Sequence, residues 1–139
     1  MAKRTTTARR LAIALARVCA ETRCREVAVL DLRHLSPVAD FFVLATGTSA
    51  RQMLSVADRA VASGHELGEK PFGVEGTQTD EGAEAGRWVL IDYVDVVVHV
   101  FTDKSRRYYD LELLWGDAPR IDWQRGWKPR DDQPGPGLS

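Results

Sequence analysis

"RWVLIDYVDVVVHVFT", residues 87–102, decides how this chain folds. Two apolar, β-branched runs meet with almost nothing between them, and a tight hairpin is the economical reading. With Val94 and Asp95 as the turn, Tyr93 faces Val96, and alternation sends each remaining side chain to one side of the sheet or the other. One face carries Val89, Ile91, Tyr93, Val96, Val98 and Val100 and reads as solid core. The opposite face carries Trp88, Leu90, Asp92, Val97, His99 and Phe101, large apolar groups beside a carboxylate and an imidazole. That mixture suits a protein-binding patch with aromatic anchors. It equally suits a face that another helix of the same chain covers.

Upstream, "DFFVLATGTSARQML" (residues 40–54) rises through an apolar run to Gly47 and then opens a helix. A run without alternation is expected of a central strand buried on both faces. The helix after it repeats Met53, Leu54, Ala57, Ala60 and Val61 at helical spacing, and Gly68 stands where a C-terminal stop belongs. Nearer the N-terminus, Leu11, Leu15, Val18 and Cys19, with Ala8 and Ala12 beside them, form one stripe of a first helix. "EVAVLDLR" (26–33) reads as a strand, Pro37 interrupts regular structure in "HLSPVAD", and "PFGVEG" reads as a short strand. "TQTDEGAEAG" is a polar surface loop. After the hairpin, Asp103 is placed to cap a last helix, "KSRRYYDLELLW", in which Tyr108, Leu111 and Trp115 share a face and Gly116 and Pro119 end it. The order α-β-β-α-β-β-β-α predicts an α/β fold, a mixed sheet of about five strands with helices packed on it.

A chain of 139 residues with 44% apolar and 28% charged content makes one ordinary globular domain. A formal charge of −1 argues against nucleic acid as the main ligand, because gripping a phosphate backbone takes a basic excess. Cys19 and Cys24 are the only cysteines, too few for a disulfide framework and without the matched ligands of a zinc site. No window is apolar enough to span a membrane. The acid-free N-terminus has the composition of an organellar transit peptide, but its apolar stripe favours a helix with a basic exposed side, and a cytoplasmic protein is expected.

Strand, glycine, helix start is also how many enzymes hold a phosphate. A P-loop needs a following Lys, which "ATGTSARQ" lacks. Ser49 and Gln52 instead spell a capping box, with Gly47 as the permissive residue of the turn. Nucleotidyltransferases place a similar Gly-Ser at a helix start but need paired carboxylates on one strand face for their metals. The nearest candidates, Asp92 and Asp95, have odd separation and straddle the turn. His34, His65 and His99 lie on separate elements and in no metal or catalytic motif. No catalytic residue, metal or cofactor is expected.

"ADFFVLATGTSARQ", "VEG", "WVLIDYVDVVVHVF" and "YYDLELLWGDAP" together resemble the Iojap family of ribosomal silencing factors, RsfS, from about residue 8 to 119. The resemblance implies a non-enzymatic translation repressor with a nucleotidyltransferase-like fold that has no active site. It implies binding to the large ribosomal subunit through ribosomal protein L-fourteen, which obstructs joining of the small subunit. On the matching positions it implies a partner-binding set of Trp88, Leu90, Asp92 and His99, while Tyr109 and Trp115 hold the last helix to the sheet. A homodimer off the ribosome is also implied. Residues 1–119 form the family domain on this reading, and 120–139, with Trp123 and Trp127, are a flexible tail. Where the family usually has Gly before the turn aspartate, this chain has Val94. A β-branched residue resists positive φ, which predicts a turn of another type or greater length. Two rival readings remain. One is a nucleotide-binding or nucleotidyltransferase enzyme using the "TGTS" loop. The other is a minor ribosomal RNA contact through Lys3, Arg4, Arg9 and Arg10.

Overall fold

The computed structural model describes residues 2–77, 87–110, 113 and 115–128. Its elements run α1 (Ala2–Glu21), β1 (Arg25–Asp31), β2 (Phe41–Thr46), α2 (Ala50–Glu66), β3 (Gly73–Glu75), β4 (Trp88–Asp92), β5 (Val96–Phe101), α3 (Asp103–Tyr109) and β6 (Arg120–Ile121). The strands form one six-stranded sheet in the order β3-β4-β5-β2-β1-β6. β2 and β5 are parallel, and the other neighbours are antiparallel.

β2 and β5 are buried along their whole lengths, which explains why neither shows a polar period. α1 and α2 cover one face. Leu11, Leu15, Cys19, Met53, Val56, Ala57 and Ala60 pack there on Phe41, Val43, Ala45 and the inward row of the hairpin. The hairpin register is the one alternation dictates, with Trp88 opposite Phe101, Leu90 opposite His99 and Asp92 opposite Val97. The α2 stripe runs through Val56 and Gly64, leaving Leu54 and Val61 only half-buried.

The Ser49 cap is present: its Oγ accepts the Gln52 N–H at 3.1 Å. The return bond lands one residue earlier than in a standard box, from Thr48 N–H to Gln52 Oε1 at 3.0 Å. Gly47 is needed for space rather than for its backbone angle. It is not among the positive-φ residues, and a Cβ there would run into the Met53 side chain.

Val94 takes the conformation expected to be closed to it, φ 74. The Asp95 N–H donates to Tyr93 O at 2.9 Å, making Val94 the centre of a three-residue turn of the rare, strained kind. The Tyr93 N–H to Val96 O bond and an Asp92 Oδ1 that accepts the Val94 N–H at 2.7 Å hold it there. Such strain costs about 1–3 kcal/mol, and the surrounding ladder offsets it.

The last helix also differs from expectation. Thr102, not Asp103, is the cap: its Oγ1 accepts the Ser105 N–H at 3.2 Å, while Asp103 pairs with Arg107 one turn on. The helix stops at Tyr109 because Asp110 turns left-handed, φ 40. That break removes the shared face. Tyr108 is 80% exposed, while Trp115 meets Phe42 edge-on at 6.2 Å. Leu111, Glu112, Leu114, the acidic loop at 78–86 and the side chains of Lys3, Arg4 and Tyr109 lie outside the described residues.

The domain does not end at 119. β6 pairs with Val29 and Leu30, adding a sixth strand. Trp123 is buried in the main core and donates from Nε1 to Val27 O at 3.1 Å, and Trp127 lies tilted against it at 5.3 Å and donates to Glu21. Arg17 clasps the same stretch through Trp123 O and Arg125 O. Residues 120–128 are therefore part of the fold. Trp123→Ala is expected to lower unfolding free energy by about 3–5 kcal/mol in a denaturant titration. A loose tail would give no change.

Candidate functional site

The sheet's second face is closed less completely than the first. Leu30, Leu32, Phe42, Leu44, Val97 and Phe101 are buried on it beneath Ala118 and Trp115, over the β1, β2 and β5 side. Toward β4 the cover thins. Trp88, Leu90 and Asp92 are half-buried there, while Val89 and Ile91 between them are fully sealed on the other face.

Beneath Trp88 lies a group of rings. The indole sits 5.3 Å from Phe101 and 5.7 Å from His99, and Phe42 meets His99 edge-on at 4.6 Å. The Trp88 Nε1–H donates to His99 Nδ1 at 3.1 Å. An indole nitrogen only donates, so Nδ1 is bare and the imidazole proton sits on Nε2. Nε2 is buried without a partner among the described residues. Burial disfavours the charged ring and pushes His99 down to about 4 from an ordinary 6.5.

The four residues expected to act together thus share one face, with different access. Trp88 and Leu90 offer apolar surface. Asp92 has one oxygen committed to the hairpin turn. His99 is only 6% exposed, so it fixes the indole's orientation from below rather than meeting a partner itself. Phe72 is a residue that sequence reasoning missed. It is 83% exposed, and its N–H donates to Asp92 O at 2.6 Å, which sets an uncovered aromatic at the edge of the same strand pair. Its one sequence signal is an aromatic at the mouth of a strand too short to have an obvious face.

The "TGTS" corner is arranged differently. Its Gly47 N–H is taken by Phe101 O, its Thr48 N–H by Gln52 Oε1, and the Gln52 and Met53 N–H groups by Ser49. A pocket of about 590 Å³ opens there beside Arg25, Lys104 and Arg107, and its one lining acid, Asp103, is paired with Arg107. Behind it the buried Arg106 donates to Glu26 O and Thr46 Oγ1, pinning the bulge in β1. Asp95 uses its main-chain carbonyl to receive Asp40 and Phe41 N–H. Among the described residues no three His, Cys, Asp or Glu gather where they would hold a metal ion. No helix among them is long and apolar enough to cross a membrane.

The family model described as "Ribosomal silencing factor during starvation", RsfS, matches residues 5–136. The chain belongs to the RsfS family. A Bacillus subtilis relative named ribosomal silencing factor RsfS is 39% identical over 111 residues, 80% of this chain and 89% of that protein. A Zea mays relative named protein Iojap, chloroplastic, is 30% identical over 112 residues, covering 80% of this chain and 46% of the relative. Among solved structures, a Chromobacterium violaceum protein superposes with a TM-score of 0.69 at 31% identity, over 78% of this chain and 85% of the other. The RsfS match extends past Pro119, in keeping with the ordered stretch beyond it.

Neutral His99 ties the stability of this RsfS fold to pH. Its folded-state pKa is lowered, so the unfolded chain binds the extra proton first as pH falls. The contribution is whole above pH 6.5 and lost as pH drops from 6.5 to about 4. From pH 7 to pH 4, the stability advantage of wild type over His99→Gln should shrink by about 3 kcal/mol, as read from denaturant titrations. A constant difference would mean His99 titrates normally.

Proposed function

We propose that this protein binds the large ribosomal subunit through ribosomal protein L-fourteen and, by its bulk, prevents the small subunit from joining, so that translation is repressed. The observation that carries this reading is the half-open face at β4, where Trp88 and Leu90 stand over a rigid layer of rings. Family membership supplies the ribosomal context. An indole whose nitrogen is already satisfied by His99 presents its apolar body in one fixed orientation, which limits the ordering cost of binding. Asp92 gives the apolar centre a polar border.

The mechanism is steric and involves no turnover. An interface of about 1,600 Å² in total suffices for a specific complex. A 139-residue body held there would occupy the space the small subunit needs. The Gly47, Thr48, Gln52 and Met53 amides of the "TGTS" corner are taken within the chain, which supports a binding role over a nucleotidyltransferase one.

Co-sedimentation with purified large subunits tests the reading. Trp88→Ala is expected to weaken binding by about tenfold or more, the loss of an anchor worth at least 1.4 kcal/mol. The variant's melting temperature serves as the control for folding, because Trp88 also packs on Phe101. Binding by the protein contact should vary little between low and moderate salt. A steep salt dependence would instead favour an RNA contact through the arginines of α1.

A further inference from the structure

Cys19 lies in α1 and Cys24, five residues on, in the turn before β1, and the end of α1 brings them together. The Cys24 N–H donates to Cys19 O at 3.0 Å and the Arg23 N–H to Ala20 O at 3.2 Å, with Arg23 left-handed at φ 75. These are the two bonds of a Schellman motif, whose geometry characteristically sets the side chains at these two positions against each other. Both positions here are cysteines, and both are free thiols.

Their surroundings differ sharply. Cys19 is fully buried in the main core. Cys24 is half-buried and lines a surface pocket of about 1060 Å³ together with Arg23, Arg25, Arg51, Ser49 and Gln52. The Gln52 Nε2–H donates to Cys24 Sγ at 3.5 Å while also holding Thr22 O at 2.8 Å. Cys24 stands at the carbonyl end of α1, which disfavours a thiolate, but it faces the first turn of α2, which favours one. The neighbouring Cys19 thiol holds Cys24 below the usual thiol range against the opposing effect of burial, and Gln52 assists. The same pairing, with burial, raises Cys19 well above that range.

We propose that Cys24 is a hydroperoxide-reactive thiol and Cys19 its resolving partner. The Cys24 thiolate attacks one peroxide oxygen, the O–O bond breaks, and the leaving hydroxide or alkoxide takes up a proton, giving Cys24 sulfenic acid. The Cys19 sulfur, losing its proton, then attacks the Cys24 sulfur, the S–O bond breaks, and water leaves. Both thiols are oxidised to one disulfide and one peroxide is reduced. The Arg-lined pocket admits the oxidant to Cys24 alone, and Cys19 needs no access because its target is its neighbour. This inference stands apart from the ribosomal reading, since neither cysteine is on the Trp88 face.

The test is hydrogen peroxide treatment of the full chain at neutral pH, followed by mass spectrometry. Wild type should lose two hydrogens and yield linked tryptic peptides 18–23 and 24–25, restored by dithiothreitol. Cys24 should react about tenfold faster than a free unperturbed thiol. Cys24→Ser should show no oxidation, and dimedone added with the peroxide should label wild type at Cys24 first. A rate equal to that of the free thiol, first labelling at Cys19, or disulfides only between chains would overturn the proposal. Because the decisive readouts are made on wild type, they hold even if a variant folds poorly.

Discussion

The parallel pairing of Phe41–Thr46 with Val96–Phe101 is the constraint on which the rest of the molecule depends. Both strands lie mid-sheet and are buried on both faces, so every residue along them requires cover. A parallel pair cannot be closed by a tight turn and needs a long crossover. α2 and the β3–β4 excursion provide it, and that excursion sets β3 and β4 beyond β5 on one side while β1 and β6 flank β2 on the other. Phe41, Val43, Val98 and Val100 then demand the two helices, while Phe42, Leu44, Val97 and Phe101 demand a second layer.

That second layer is where the chain falls short of closing itself. On this face no helix lies over β4 among the described residues. The stretch around Trp115 and Ala118 covers the middle of the face, and the cover runs out at Trp88 and Leu90. Burying His99 there without a charge, its acceptor nitrogen filled by Trp88, shows how the face is kept rigid although it is incomplete. A neutral imidazole offers one bare nitrogen as acceptor, and here that nitrogen holds the indole in place. The same economy appears in Arg106, whose buried guanidinium is spent on Glu26 O and Thr46 Oγ1.

How much of this was legible depended on whether a residue's role is set by its neighbours in sequence. The two faces of the hairpin came from period-two alternation, and the Ser49 cap from four consecutive residues. The sharing of one face by Trp88, Leu90, Asp92 and His99 came from the same alternation. What failed depended on distant partners. β6 is two residues, Arg120 and Ile121, with no pattern of their own, and only the open edge of β1 makes them a strand. Trp123 reads as part of a flexible tail because its core contacts come from β1 and α1, far back in the chain. The face predicted for Tyr108 and Trp115 assumed a helix that Asp110 interrupts. Val94 adopts positive φ because the register on either side leaves no other turn, so tertiary pairing overrides a local preference. Access was invisible as well: nothing in "VVVHVF" distinguishes a His that meets a partner from one that braces a Trp.

The most direct measurement of the central claim, that the open side of β4 is where the large subunit docks, is site-specific photocrosslinking. A photoreactive residue would replace Leu90, half-buried on that side, or Asp58, exposed on α2. With purified large subunits, the account predicts a strong adduct from position 90 to ribosomal protein L-fourteen and none from position 58. Adducts from position 58 alone, or none from position 90 while the protein still co-sediments with the subunit, would contradict it.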